Sequence, residues 1–217
     1  MKARVTNLMQ AKIDAIEESL RSYEQAGKRL IVTSSFQTHS LPMLHILQRL
    51  QPGIAVVFLD TGYHFEETIT FKNEVAELLS LNIGTISGNE KPKANGLYVS
   101  SPTECCDTNK VAPLHRLLRD YDVWISGVRA DQTANRGTFT SVMPGPEETE
   151  RYHPMLNWLS EEINAYRLEF DLPAHPLEAL GYSSIGCGPC TTVPVGDLRS
   201  GRWGGTEKTE CGLHLTR

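Results

Sequence analysis

The chain has 217 residues, 40% of them hydrophobic, and a formal net charge of −5. This is the size of one domain with enough apolar material for a core. The acidic balance excludes a broad basic face for nucleic acid but leaves room for a local basic pocket, so the expected partner is a small molecule. Residues 1–8 lack the continuous apolar core of a signal peptide, and no later stretch approaches a membrane span. A cytoplasmic protein is therefore expected, and in that reducing compartment five cysteines point to metal binding or catalysis rather than to structural disulfides.

Leu8, Ile13, Ile16, Leu20 and Tyr23 recur at helical spacing and predict an amphipathic helix ending at Gly27. A strand over 30–32, a leucine-rich helix over 41–50 and a continuous apolar strand over 54–59 follow. The alternation continues with a helix over 66–81, a strand over 83–86, a helix over 111–118 and a strand over 123–125. The pattern predicts an α/β fold, a mostly parallel twisted sheet with helices on both faces. In such sheets ligands gather at the carboxyl ends of the strands. There the sequence places Thr33-Ser34-Ser35, Asp60-Thr61-Gly62 and Ser126-Gly127. Beyond Pro144-Gly145-Pro146 only a helix over 161–170 is predicted. A single domain over 1–195 and a flexible tail over 196–217 complete the expected organisation.

Four of the five cysteines form two pairs, Cys105-Cys106 and Cys187-Gly188-Pro189-Cys190, and Cys211 stands alone. Two thiolate pairs suit a structural zinc ion or an iron-sulfur cluster. Adjacent cysteines lean toward the cluster, because structural zinc pairs usually have two to four residues between ligands and a cluster offers separate irons to neighbouring thiolates. Ser34 and Ser35, between a strand and a helix, suit an anion held by backbone N–H groups, although Ser and Thr at a helix start are more often ordinary N-caps. Arg129 and Arg136 follow a strand, and arginine forks match phosphate and sulfate oxygens; the bland alternative is a solvated surface charge. Lys208 and His214 flank Cys211, a setting that lowers a thiol pKa and readies a nucleophile. Arg199 and Arg202 lie upstream, either to draw the tail onto an anion or to solvate a frayed terminus.

Taken together these stretches closely resemble the assimilatory sulfonucleotide reductases, in particular the iron-sulfur adenylyl-sulfate (APS) reductases. The resemblance covers nearly the whole chain. It is carried by Ser34-Ser35-Phe36, Leu59-Asp60-Thr61-Gly62, Cys105-Cys106 with Lys110-Val111 and Pro113-Leu114, Ser126-Gly127-Val128-Arg129 with Gln132 and Arg136, Gly181 to Thr191 around the second cysteine pair, Gly201-Arg202-Trp203 and Lys208 to His214. It implies an adenine nucleotide alpha-hydrolase-like fold and a [4Fe-4S] cluster on Cys105, Cys106, Cys187 and Cys190. It also implies reduction of adenylyl sulfate to sulfite and AMP, in sulfate assimilation and cysteine biosynthesis, through a Cys211 S-sulfonate resolved by thioredoxin or a similar dithiol. Ser34, Ser35, Thr61, Gly62, Lys110, Arg129, Arg136, Arg199, Arg202 and His214 are the implied substrate-binding residues, with the cations and His214 offsetting negative charge. The cluster's implied role is electrostatic and structural.

Relatives often carry Gly after the loop Phe, where this chain has Gln37. Reductases of 3'-phosphoadenylyl sulfate generally lack both cysteine pairs, so their presence favours APS; a 3'-phosphonucleotide or dual-specificity reductase is the nearest alternative. An ATP pyrophosphatase should show paired glycines before an aspartate and serine in its loop, which Ser34-Ser35-Phe36-Gln37 does not. The non-enzyme reading is a zinc-stabilised binding module with an incidental Cys211. The sequence assigns no helix face to a partner, so a homo-oligomer stays open.

Overall fold

The computed structural model describes residues 6–88, 96–197, 199–204, 208 and 210–214. Residues 1–5, on which part of the signal-peptide reading rests, and Thr209 of the terminal motif lie outside the described residues. The helices are α1 (Asn7–Gln25), α2 (Leu41–Leu50), α3 (Glu66–Leu78), α4 (Leu97–Ser100), α5 (Pro102–Cys106), α6 (Ala112–Leu118) and α7 (Ser160–Glu169). The strands are β1 (Leu30–Thr33), β2 (Ala55–Asp60), β3 (Asn82–Ser87), β4 (Val123–Ser126), β5 (Val142–Pro144) and β6 (Glu150–Tyr152). They form one sheet in the order β3-β2-β1-β4-β6-β5, parallel throughout except for antiparallel β5 on the edge.

The period-2 alternation of a strand explains how both faces are covered. Val32, Val56, Phe58, Val123 and Ile125 point into a large core shared with Met9, Ile16 and Leu20 of α1, Leu44 and Leu47 of α2, Phe71 and Val75 of α3, and Ile163 and Tyr166 of α7. Their neighbours Ile31, Val57, Leu59 and Trp124 point the other way, onto Leu114 and Leu118 of α6. Strands buried on both faces need apolar residues at every position, which is why β1, β2 and β4 read as unbroken runs.

Local chemistry sets the element ends. Thr6 caps α1 by accepting a hydrogen bond from Met9 N at 3.2 Å. At the other end Gly27 takes a left-handed φ of 65°, and Lys28 N closes the turn onto Tyr23 O at 3.0 Å. The helix expected from Val111 starts earlier. A π-turn over Asp107–Val111 joins α5 to α6, so the chain is near-continuously helical from Pro102 to Leu118. Such turns insert one extra residue and often lie at functional sites. Strands β5 and β6 were not expected, and Glu147 and Glu148, both at positive φ, turn the chain between them. Among the described residues no helix is long and apolar enough to cross a membrane.

Candidate functional site

The parallel register places Thr33 of β1 beside Ser126 of β4 and Val57 of β2. The carboxyl ends of these three strands open on one pocket, the place where ligands gather in parallel α/β sheets. Thr33, Ser34 and Ser35, Phe58 and Leu59, and Ser126 and Gly127 line it from the strand ends. Trp124 Nε1 donates to Thr33 Oγ1 at 2.8 Å, and Ser126 Oγ meets His153 Nδ1 at 2.9 Å, so the floor is held by buried polar contacts.

After β1 the left-handed turn falls on Phe36, fully buried at φ 53°, while Gln37 is extended at φ −75°. Gln37 therefore needs none of glycine's freedom. Its Nε2 donates to Ser35 Oγ at 3.1 Å and its Oε1 accepts from Ile185 N at 2.8 Å, tying the loop to the segment that carries the second cysteine pair.

Lys110, Arg136, Arg199 and Arg202 line the pocket with His39, His64, Cys211 and His214. Arg129 does not. Its guanidinium pairs with Asp131 at 2.9 Å, donates to Ser160 Oγ at 2.8 Å and lines a neighbouring depression that also includes Arg167 and Arg199. Thr61 and Gly62 also fall outside the pocket lining, and Thr61 Oγ1 instead lies 3.2 Å from Cys187 Sγ.

The two cysteine pairs meet outside the pocket lining, beside Lys110 and Arg202. Cys105 and Cys106 end α5. The Cys187 loop is bridged to His64 and pinned by Gly188 N donating to Tyr63 O at 2.7 Å and by Trp203 N donating to Cys190 O at 3.1 Å. Burial pushes the Cys105 and Cys190 thiols up, and the charge of Cys187 adds to both. Lys110 is held charged: burial opposes its charge, but Cys187, Cys211 and Cys106 together outweigh it. Among the described residues no group of three or more His, Cys, Asp or Glu side chains gathers tightly enough to hold a single metal ion.

Cys211 is a half-buried thiol held well below the ordinary range. The first cause is a hydrogen bond with Cys106, which correspondingly pushes the Cys106 thiol up. Lys110, a backbone hydrogen bond to Leu213 and Arg202 then overcome the cost of burial. Its neighbours Lys208 and His214 are the cations the sequence points to, but Lys110 of the π-turn and Arg202 are the cations that act on it. His214 is pushed well below its usual pKa by burial and by Arg136 and Arg151, so it lines the pocket as a neutral ring and brings no charge. Burial likewise pushes His39 down to about 3, helped by Arg129, Arg136 and Arg199, and His64 down to about 4, helped by Lys110.

Several site residues escaped the sequence reading. Glu210 is buried against Arg136, with the two ends of the fork at 3.0 and 2.9 Å. Asn135 Nδ2 donates to His214 O at 3.0 Å. Arg151 of β6, stacked between Trp124 and Phe139 with ring-centre distances of 4.4 and 5.6 Å, reaches Leu213 O at 3.4 Å. Glu210 lies inside the terminal motif, but nothing in the spacing gives it, Asn135 or Arg151 a role.

Comparison with known proteins gives concordant findings. Residues 29–193 match the family described as the phosphoadenosine phosphosulfate reductase domain. The chain is 35% identical over 195 residues to a Rhodococcus opacus protein named adenosine 5'-phosphosulfate reductase, covering 86% of this chain and 78% of that one. It is 36% identical over 204 residues to a Bacillus cereus protein of the same name, covering 89% and 87%. The crystal structure of phosphoadenylyl-sulfate reductase from Candida auris superposes with a TM-score of 0.68 at 21% identity, covering 79% of this chain and 87% of that one, a likeness of fold.

Proposed function

The chain belongs to the phosphoadenosine phosphosulfate reductase family, and from that membership we propose that it reduces adenylyl sulfate to sulfite and AMP in sulfate assimilation. The name shared by its relatives supports this substrate. The observation that carries the chemistry is Cys211, a thiol at the edge of a pocket built on three strand ends and held well below its ordinary range by Cys106, with Lys110 and Arg202 adding to the effect.

The Cys211 thiolate attacks the sulfonyl sulfur of the nucleotide, a new S–S bond forms, and the S–O bond to AMP breaks with its electron pair going to AMP. Because AMP is a good leaving group, the protein's task is positioning and offsetting negative charge. Lys110, Arg136, Arg199 and Arg202 supply the positive charge around the pocket, and Ser34 and Ser35 the polar strand-end loop. Arg129 and Thr61 act from behind this lining, through Asp131 and through Cys187, and Gly62, at positive φ, forms the turn after β2. A dithiol such as thioredoxin then attacks Cys211 Sγ; the S–S bond breaks and sulfite leaves with its electron pair. The second thiol of the dithiol resolves the mixed disulfide, so the dithiol is oxidised by two electrons and the Cys211 thiolate returns. Free thiols of this kind suit a reducing, cytoplasmic setting. In this reading residues 1–195 are one nucleotide-binding domain and 196–217 a movable tail.

The donor set suits a [4Fe-4S] cluster. It consists only of thiols, arranged as two pairs on separate elements and electrostatically coupled to one another, with Lys110 and Arg202 beside them to offset thiolate charge. Cys105, Cys106, Cys187 and Cys190 would hold it, and it would supply a fixed charge distribution and a rigid wall beside the nucleotide. As a ligand Cys106 has no proton to give, and ionisation of Cys211 then rests on Lys110, Arg202 and the Leu213 backbone.

Mass spectrometry of anaerobically purified protein, incubated without reductant with APS or its 3'-phosphorylated form, tests the reading. A sulfonate adduct on Cys211, formed preferentially with APS and lost in Cys211→Ser, is expected. Preference for the 3'-phosphate would move the substrate to phosphoadenylyl sulfate, and sulfite release by the Ser variant at the normal rate would refute the mechanism.

A further inference from the structure

The chemistry above uses Cys211 and leaves its neighbour unexplained. Glu210 is 1% exposed, and its carboxylate is fully engaged. Arg136 Nε and Nη2 donate to its two oxygens at 3.0 and 2.9 Å, Thr133 Oγ1 donates at 2.5 Å, and Arg199 lies at 4.0 Å. A carboxylate buried this deeply is tolerated only because charge and hydrogen bonds meet it on every side. The two-pronged fork also fixes orientation, which a point contact would not. Other contacts of residues 210–214, from Asn135 to His214 O and from Arg151 to Leu213 O and to the neutral ring of His214, lack a charged partner on the terminal segment.

We propose that Glu210 is the positioning residue of the tail: its ion pair with Arg136 sets the register of the terminal segment and so holds Cys211 Sγ at the pocket. The inference rests on Cys211 being the nucleophile. Glu210 adjoins Cys211 in the chain, so any slip of the carboxylate from the fork is passed to Sγ almost undamped. A misplacement of about 1 Å is enough to cost on the order of a hundredfold in rate. Removing the charge also strands Arg136 without its one carboxylate partner among the described residues, which favours an undocked tail.

Hydrogen exchange followed by mass spectrometry, on full-length anaerobically purified protein without nucleotide, tests this apart from any turnover. In the wild type, amides of the peptide containing Glu210–His214 should be protected. Glu210→Gln, which keeps the volume and removes the charge, should speed their exchange tenfold or more while the thermal midpoint and the cluster absorption hold. Glu210→Asp, which keeps the charge on a shorter stem, should restore part of the protection. In single turnover at saturating APS, Glu210→Gln should lower the rate of Cys211 sulfonation at least tenfold with AMP affinity within threefold. Should Glu210→Gln not fold, Arg136→Lys, which keeps the cation and removes the fork, should produce the same loosening. A wild-type tail that exchanges freely, or unchanged exchange in whichever variant folds, overturns the proposal. Failure of the wild type to form the sulfonate would instead refute the functional reading, because the exchange result does not depend on APS.

Discussion

Gly186 is the position where the smallest substitution should remove a pocket cation. A Cβ built there falls 2.2 Å from Arg202 Nη2, 2.3 Å from Nη1 and 2.4 Å from Cζ. No protein tolerates such contacts, so the guanidinium must retreat by about 1 Å or more to regain ordinary separation. Gly186 is not among the residues at positive φ, so alanine brings no backbone strain of its own. The retreat moves a guanidinium that stacks on Trp203 at 4.5 Å to the ring centre, a contact worth about 0.5–2 kcal/mol. If Arg202 makes one charge-assisted hydrogen bond to the reacting nucleotide, its loss costs about 1.5–3 kcal/mol, or about 10- to 150-fold in kcat/KM. The assay is a double-mutant cycle of Gly186→Ala, Arg202→Ala and both together, read as kcat/KM for sulfite release with thermal midpoints alongside. Gly186→Ala should behave as a displaced arginine, and the double variant should be no worse than Arg202→Ala alone, a strongly non-additive result. Full activity in Gly186→Ala, or losses that simply add, would refute the argument.

Two further expectations concern protons. Lys110→Met removes a cation that holds Cys211 ionised, so the thiol pKa should move up toward its ordinary value, about 8.5. The attacking species is the thiolate, so single-turnover sulfonation should be slower than wild type at pH 7 and catch up as pH rises; equal loss at every pH would mean that Lys110 serves binding alone. His153 is 1% exposed, and burial followed by Arg151 pushes it down to about 4. Between that value and 6.5 the unfolded chain binds the proton and the folded chain does not, so stability present above pH 6.5 is lost as pH falls toward 4. The loss reaches about 2 kcal/mol at pH 5 from this residue, read as a drop in urea midpoint that His153→Gln should reduce.

Fold and site were legible to different depths, and the reason is physical. β1, β2 and β4 were visible because a strand covered on both faces must be apolar at every position. β6 was not, because Glu150-Arg151-Tyr152 buries an arginine, and that burial depends on Trp124 and Phe139 arriving from elsewhere to stack on it. The π-turn was invisible for a related reason: it differs from an α-helix by one residue of hydrogen-bond register, with no change in periodicity long enough to read.

Spacing exposed the cysteines, because ligand pairs and an isolated terminal thiol are patterns in one dimension. Electrostatics is three-dimensional, and there adjacency in sequence misled. Lys208 and His214 flank Cys211 in the chain, yet Lys110, about a hundred positions away, is the first cation acting on it, while His214 loses its charge first to burial and then to Arg136 and Arg151. The same reversal governs Arg129 and Arg136. Both follow β4, but Asp131 and Ser160 draw the first away from the pocket lining, and Glu210 pulls the second into it. An arginine's role is thus decided by which carboxylate reaches it first. For Arg136 that carboxylate comes from the segment carrying Cys211, so one ion pair ties a pocket cation to the segment that bears the thiol.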